Sequence, residues 1–303
     1  MPPTQRLAGY PRSGLIHLAV LYTVWSTTYL AIRVAVDPAR GGFPPFLMAG
    51  WRLLAAGLLI LLVARLGGRP LRPSRADLPT LLGATVLLWM GGNGLVTWAE
   101  TREESVYAAL LIAATPIWTA IIEALIDRRR PSRRLALALF VGFAGIAVLT
   151  GPKLWGAPLA GSGTLIALLA APLSWGAGSV LQARRPVTLS PLVSAGWQQL
   201  TGGLAMCLLS LAVSEPVGHP STAAWLAWLY LVVVGGLAVV SFVQALRELP
   251  TRLVMTYAYV NPVGAALCGW LFLGEHIGWS TALGAALVLM GVAGVFRERY
   301  GAG

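Results

Sequence analysis

Residues Ala49 to Leu58 read AGWRLLAAGL, and residues Ala195 to Leu204 read AGWQQLTGGL, the same Ala-Gly-Trp opening and Gly-Leu close at a separation of 146. At that separation Pro116 of Ala114-Thr115-Pro116 answers Pro262 of Val260-Asn261-Pro262. Farther along, Gly142-Phe143-Ala144-Gly145 corresponds to Gly291-Val292-Ala293-Gly294, the separation having grown to 149. A single match of small and apolar residues is weak, but a constant separation held across two helices is the mark of a duplicated unit. The first unit is placed at 14–152 and the second at 160–297, with short tails outside them.

Composition says what kind of unit is repeated. Of the 303 residues, 57% are apolar and 11% are charged, and the mean hydropathy is +0.73. A soluble domain carries about a quarter charged residues, so a soluble globule is excluded, and a disordered chain fails on the same ground. Ten apolar runs follow, near 15–36, 46–64, 80–99, 106–126, 135–150, 163–181, 192–213, 225–246, 253–273 and 279–296. With roughly 20 residues needed per membrane crossing, they consume the chain. The first run is long for a signal-peptide core and no small-residue cleavage site clearly follows, so it reads as a retained helix.

The net charge of +11 raises nucleic acid as a partner, but its distribution answers otherwise. Counted by alternate connectors, 17 of the 22 basic residues fall on one side, the Arg128 to Arg134 cluster among them, while Arg40, Arg102 and Lys153 lie opposite. Cytoplasmic connectors retain Arg and Lys, so both termini are expected in the cytoplasm of a multi-pass membrane protein whose charged surface meets lipid and not nucleic acid. Five crossings per unit is an odd number, so the second unit enters the membrane upside down. The expected fold is all-α, ten transmembrane helices as two inverted five-helix repeats, the geometry that supports alternating access.

Five stretches together carry a family likeness: Trp25-Ser26-Thr27-Thr28-Tyr29, Gly92-Asn93-Gly94, Ala114-Thr115-Pro116, Ser174-Trp175-Gly176, and Asn261-Pro262 followed by Gly274-Glu275. With them the chain resembles the drug/metabolite transporter superfamily, and within it the EamA-type ten-helix exporters of the YddG and YedA kinds. The resemblance implies a bacterial inner-membrane protein whose partner is a small solute, exporting amino acids, aromatic ones included, and related metabolites.

A solute path through hydrocarbon needs inward-facing polar groups, and helical spacing shows which residues share a face. Trp25, Thr28 and Tyr29 do so in the first run, Trp89, Asn93 and Thr97 in the third, Trp175, Ser179 and Gln182 in the sixth, and Tyr257 and Asn261 in the ninth. Substrate-binding roles are assigned to Trp25, Thr28, Tyr29, Asn93, Trp175, Ser179, Gln182, Tyr257 and Asn261, and hinge roles to Pro116 and Pro262. The competing readings are interfacial aromatic belts, close helix packing and, for Asn261, repair of backbone groups freed by Pro262. Trp118, Thr119, Gln198, Gln199 and Gln244 rank second. Arg33 and Arg52 read as snorkelling residues near the outer ends of their runs, and Glu100, Glu103 and Glu104 as an outer-loop patch without an evident partner.

Enzymatic function is not expected. The two cysteines sit in apolar runs, the three histidines are scattered, and no carboxylate or metal-ligand cluster stands out, so no metal or cofactor is expected. A secondary transporter with a cavity of aromatic and uncharged polar groups is the leading reading. A solute channel, or a membrane-embedded transferase, is the rival.

Overall fold

The computed structural model describes residues 10–128, 132–156, 163–249, 251–254 and 256–300, so Arg6, Arg129 and Arg130 of the basic count and residues 160–162 of the second unit lie outside it. Every regular element among the described residues is helical. That follows from the apolar runs, since a backbone surrounded by hydrocarbon must satisfy its own N–H and C=O groups.

The rods are α1 (Arg12–Val36), α2 (Pro45–Leu66), α3 (Leu78–Ala99), α4 (Ser105–Ile126) and α5 (Arg133–Gly156). The series continues with α6 (Gly163–Arg184), α7 (Pro191–Ala212), α8 (Thr222–Glu248), α9 (Tyr257–Cys268, extended by Gly269–Leu273) and α10 (Trp279–Tyr300). Among the described residues six of them, α1 to α4, α6 and α8, are long and apolar enough to cross a membrane. Large apolar side chains such as Leu62, Phe140, Leu229 and Trp270 face outward, as a surface bathed in lipid requires.

Polar residues close the rods at their ends. Ser190 and Ser221 accept the third N–H of α7 and α8, from Val193 and Ala224. Glu275, just past α9, accepts Ser105 N at 2.9 Å and Val106 N at 3.0 Å and so caps α4. Asp77 accepts Thr188 N and Oγ1 at 2.7 and 2.8 Å and Ser74 N and Oγ at 2.9 and 2.8 Å, tying the α2–α3 connector to the α6–α7 connector. These bonds, the Thr188 N–H foremost, hold its carboxyl below the ordinary range, at about 2.

Two pairs of rods run against each other along their length, α2 with α7 and α5 with α10. Glycines make both seams. A methyl added at Gly57 would stand 2.7 Å from Leu200 N and 3.0 Å from Gly196 O, and one at Gly203 would stand 2.6 Å from Leu54 N and 2.9 Å from Gly50 O. In the other seam a methyl at Gly291 would meet Gly142 Cα at 2.5 Å, one at Gly145 Leu287 Cβ at 2.9 Å, and one at Gly294 Ala138 Cβ at 2.6 Å. Around these seams α1 packs on α8 and α9, and α6 packs on α3 and α4.

Three stretches widen into π-helix: Thr85–Gly94 in α3, Leu231–Gly235 in α8 and Gly269–Leu273 at the end of α9. The first two begin 146 residues apart, matching the sequence repeat.

Candidate functional site

The interior of the bundle holds a cavity of about 90 Å³, walled by α1, α2, α3, α4, α6, α8 and α9. At ~30 Å³ per water it has room for about three waters, or one small group of a solute in their place.

From α1 come Trp25, Thr28, Tyr29 and Ile32, one stripe of a regular helix. Trp25 is the hub of an aromatic wall. Its ring centroid lies 4.8 Å from that of Tyr257 on α9 and 5.8 Å from that of Trp175 on α6, both edge-on, and 5.1 Å from that of Phe242 on α8. Trp89 on α3 meets Trp175 at 6.0 Å, also edge-on. Edge-to-face contacts fix ring orientation and leave faces free to stack on a guest. Gly92 makes this possible, because a methyl there would lie 2.7 Å from the Trp175 ring.

The charged and amide groups of the wall come from α2 and the π-helical stretch of α3. Asn93 Oδ1 accepts a hydrogen bond from Arg52 Nη2 at 2.5 Å, and both residues line the cavity. Arg52 corrects the snorkelling expectation. It sits two turns inside α2, is 6% exposed, and its Nε has no hydrogen-bond partner. Arg33 does lie at the end of its helix, where it reaches Asp37 at 3.7 Å and the Glu100 carbonyl at 2.5 Å. Glu100 is a second correction: it is fully buried, neither carboxylate oxygen has a hydrogen-bond partner, and its electrostatic neighbours are Glu275, Arg33 and Arg52. Glu103 of the same stretch is buried and accepts from Thr164 Oγ1 at 3.0 Å.

Of the residues assigned from sequence, Trp25, Thr28, Tyr29, Asn93, Trp175 and Tyr257 meet on this cavity. Ser179, Gln182 and Asn261 are not among its lining residues. Ser179 is buried and donates to the Trp175 carbonyl at 2.8 Å. Gln182 accepts from Gln198 Nε2 at 3.0 Å and lines a separate pocket with Arg185 and Arg247. Asn261 is buried against α1, where its Oδ1 accepts from Ser26 Oγ at 3.4 Å. Pro116 stands in the first turn of Thr115–Ile126, after a break in α4 at Ala113-Ala114, and Pro262 stands inside Tyr257–Cys268. The Ile112 carbonyl, which Pro116 cannot reach with an N–H, accepts from Thr115 Oγ1 at 2.6 Å. In the second rank, Trp118 packs edge-on against Phe143, Gln244 donates to Glu248, and the Gln199 Nε2 is buried without a partner.

Several lining residues carry no polar signal and escape a reading that looks for polarity. The repeat finds them. Trp25 and Ala171, Tyr29 and Trp175, Trp89 and Gly235, and Asn93 and Val239 all line the cavity, and each pair is 146 apart.

A model of the EamA-like transporter family matches residues 12–151 and again residues 162–297. The chain is 34% identical over 289 residues to the uncharacterized inner membrane transporter YedA of Escherichia coli K12, covering 93% of this chain and 90% of that one. It is 26% identical over 297 residues to the probable amino-acid metabolite efflux pump of Salmonella typhimurium, with 93% of each chain covered. It is 27% identical over 290 residues to PecM of Dickeya dadantii, with 91% of each covered. A solved crystal structure resembles the fold at a TM-score of 0.67 and 23% identity, over 93% of this chain and 96% of that one.

Proposed function

Because this chain belongs to the EamA-like transporter family, we propose that it is a secondary transporter exporting amino acids, aromatic ones among them, and related metabolites across a bacterial inner membrane. Its cavity opens alternately to the two sides as two inverted five-helix units, 14–152 and 160–297, exchange conformations. Trp25, Thr28, Tyr29, Asn93, Trp175 and Tyr257 contact the solute, with Arg52 added from the geometry. Ser179, Gln182 and Asn261 support the wall from outside it.

The observation that carries the reading is the pairing at the glycine seams. Gly57 meets Gly196, the counterpart of Gly50, while Gly203, the counterpart of Gly57, meets Gly50. Residue i touching the partner of j, and j the partner of i, is the signature of a two-fold axis. The α5–α10 seam repeats it at a separation of 149, with Gly145 on Leu287, Gly294 on Ala138, and Gly142 on its own counterpart Gly291. Both seams run antiparallel, which supports an axis perpendicular to the rods and therefore in the membrane plane. The packing of α1 on α8 and α9, mirrored by α6 on α3 and α4, agrees with the same exchange of halves. The aromatic wall and the name of the Salmonella relative support the solute class.

The test is counterflow in liposomes over a panel of labelled amino acids, with and without a pH gradient. Saturable uptake accelerated by unlabelled solute on the far side is expected. Linear, non-saturating flux would make the protein a channel, and no flux at all with turnover of a lipid would make it an enzyme. Tags on both tails are expected on the cytoplasmic face, and finding them on opposite faces would refute the inverted arrangement.

A further inference from the structure

The cavity is two-fold in shape but not in charge. The counterpart of Arg52 is Gln198, which donates to Gln182 Oε1 at 3.0 Å and Ser194 Oγ at 3.1 Å and so has its polar needs met inside the second half. The counterpart of Asn93 is Val239, a lining residue with nothing polar to offer. Arg52 and Asn93 therefore form the one charged and amide-bearing point on a lining that also carries the hydroxyls of Thr28, Tyr29 and Tyr257. Among the described residues no carboxylate oxygen lies within 4.0 Å of Arg52, buried Glu100 acting on it only through space, and its buried Nε has no hydrogen-bond partner. Across from it, Gly235 lies so near that a methyl there would stand 4.0 Å from Nη1, in ordinary contact.

A buried guanidinium with open donors is expensive to keep in a membrane protein unless an acceptor visits it. Its planar fork matches a carboxylate, which can take two parallel N–H bonds at once. Among the described residues no Asp or Glu lines the cavity, so an ammonium group has no carboxylate in direct contact there.

We infer that Arg52, oriented by Asn93, is the anchor for the carboxylate of the solute, and that the solute's ammonium group is not recognised by charge. This rests on the transport reading above and narrows it to solutes with a free carboxylate joined to an aromatic or aliphatic body. The carboxylate docks on the α2–α3 wall and the body lies on Trp25, Trp175 and Tyr257. Decarboxylated amines are excluded by an unfavourable charge, and amino acids lose little on deamination.

The test uses the full chain purified in detergent and reads tryptophan fluorescence, since Trp25, Trp89 and Trp175 line the cavity. Four probes of one shape are titrated: 3-phenylpropionate, L-phenylalanine, L-phenylalaninamide and phenethylamine. The two carboxylates are expected to give a saturable change, and the amide and the amine to bind about tenfold more weakly or worse. Arg52→Gln, which installs the residue native to position 198, is expected to bring the carboxylates down to the level of the amide, with Arg52→Lys in between. Equal binding of acid and amide by the unmodified chain overturns the anchor, as does unchanged acid binding by Arg52→Gln or the absence of a saturable change with all four probes. An Arg52-dependent response to sodium phosphate or chloride at the same concentrations overturns the carboxylate assignment in favour of inorganic anions. If neither variant folds, the unmodified chain's probe series decides alone. Counterflow with the same probes separates the two claims. Carboxylate-selective binding without counterflow sinks the transport reading and keeps the anchor, and counterflow indifferent to the carboxylate does the reverse.

Discussion

Adding one methyl group at Gly203 is expected to force α2 and α7 apart. The new Cβ would sit 2.6 Å from Leu54 N and 2.9 Å from Gly50 O, both backbone atoms that no rotamer change can move aside. Ordinary contact begins near 3.4 Å, so the helices must separate by roughly 0.8 Å at that point. A radial gap of ~0.5–1 Å forfeits a quarter to a half of each dispersion contact along the seam, and overpacking of this kind costs about 1–3 kcal/mol. Gly57→Ala meets Leu200 N at 2.7 Å and Gly196 O at 3.0 Å, nearly the same collision, so the two variants are expected to lose equal stability. The double variant is expected to lose less than their sum, because one separation relieves both clashes. Reversible unfolding in mixed micelles against increasing dodecyl sulfate reads this directly, with Gly218→Ala as the control since a methyl there meets nothing within 4 Å. If Gly203→Ala stays within about 0.5 kcal/mol of the control, or the double variant is strictly additive, the backbone-seam account fails.

Asp77 binds its hydrogen-bond donors as a carboxylate held at about 2, below its unfolded value, so its contribution is complete above about pH 4 and fades as pH falls toward 2. Asp77→Asn should therefore melt lower than the unmodified chain at pH 6, the gap closing on acidification, and a gap independent of pH would count against it. Glu275→Ala removes the cap on Ser105 and Val106 and is expected to cost about 1–2 kcal/mol in the same micelle assay, with no loss pointing to replacement by solvent. Replacing Pro116 and Pro262 together by Ala is expected to slow counterflow more than it lowers folded yield, and equal losses would make the prolines packing features. Pro262→Ala should account for most of the slowing, because Pro262 lies inside its helix whereas Pro116 occupies a first turn where proline fits.

Helix positions were the most legible part of the fold because hydrocarbon leaves the backbone no alternative. The run at 46–64 became Pro45–Leu66 and the run at 163–181 became Gly163–Arg184. The run ending at 150 continues to Gly156, and the run at 253–273 divides into Thr251–Val254 and a helix from Tyr257. In the cavity, spacing placed Trp25, Thr28 and Tyr29 on one stripe, but a shared face does not mean a shared depth. Gln182 follows Trp175 by seven residues, about 10 Å along the axis, which carries it past the cavity to another pocket. Asn93 reaches the cavity with Trp89, as its spacing predicts, from within the π-helical stretch of α3, whereas Gly92 beside it carries no polar signal that sequence could single out. Arg52 departs from the snorkelling expectation, which assumes that a charge in an apolar run reaches for water. Its counterpart, Gln198, is buried as well, so the structure makes the position interior in both halves.

The glycine seams also limit how this chain can vary. Every missense change at a glycine adds atoms, so Gly57, Gly203 and Gly291 have no smaller alternative toward which to drift. Sequence change tolerated on the lipid-facing surface is barred along these two lines, and a homologue that gains bulk there must lose it from the opposing backbone's neighbours.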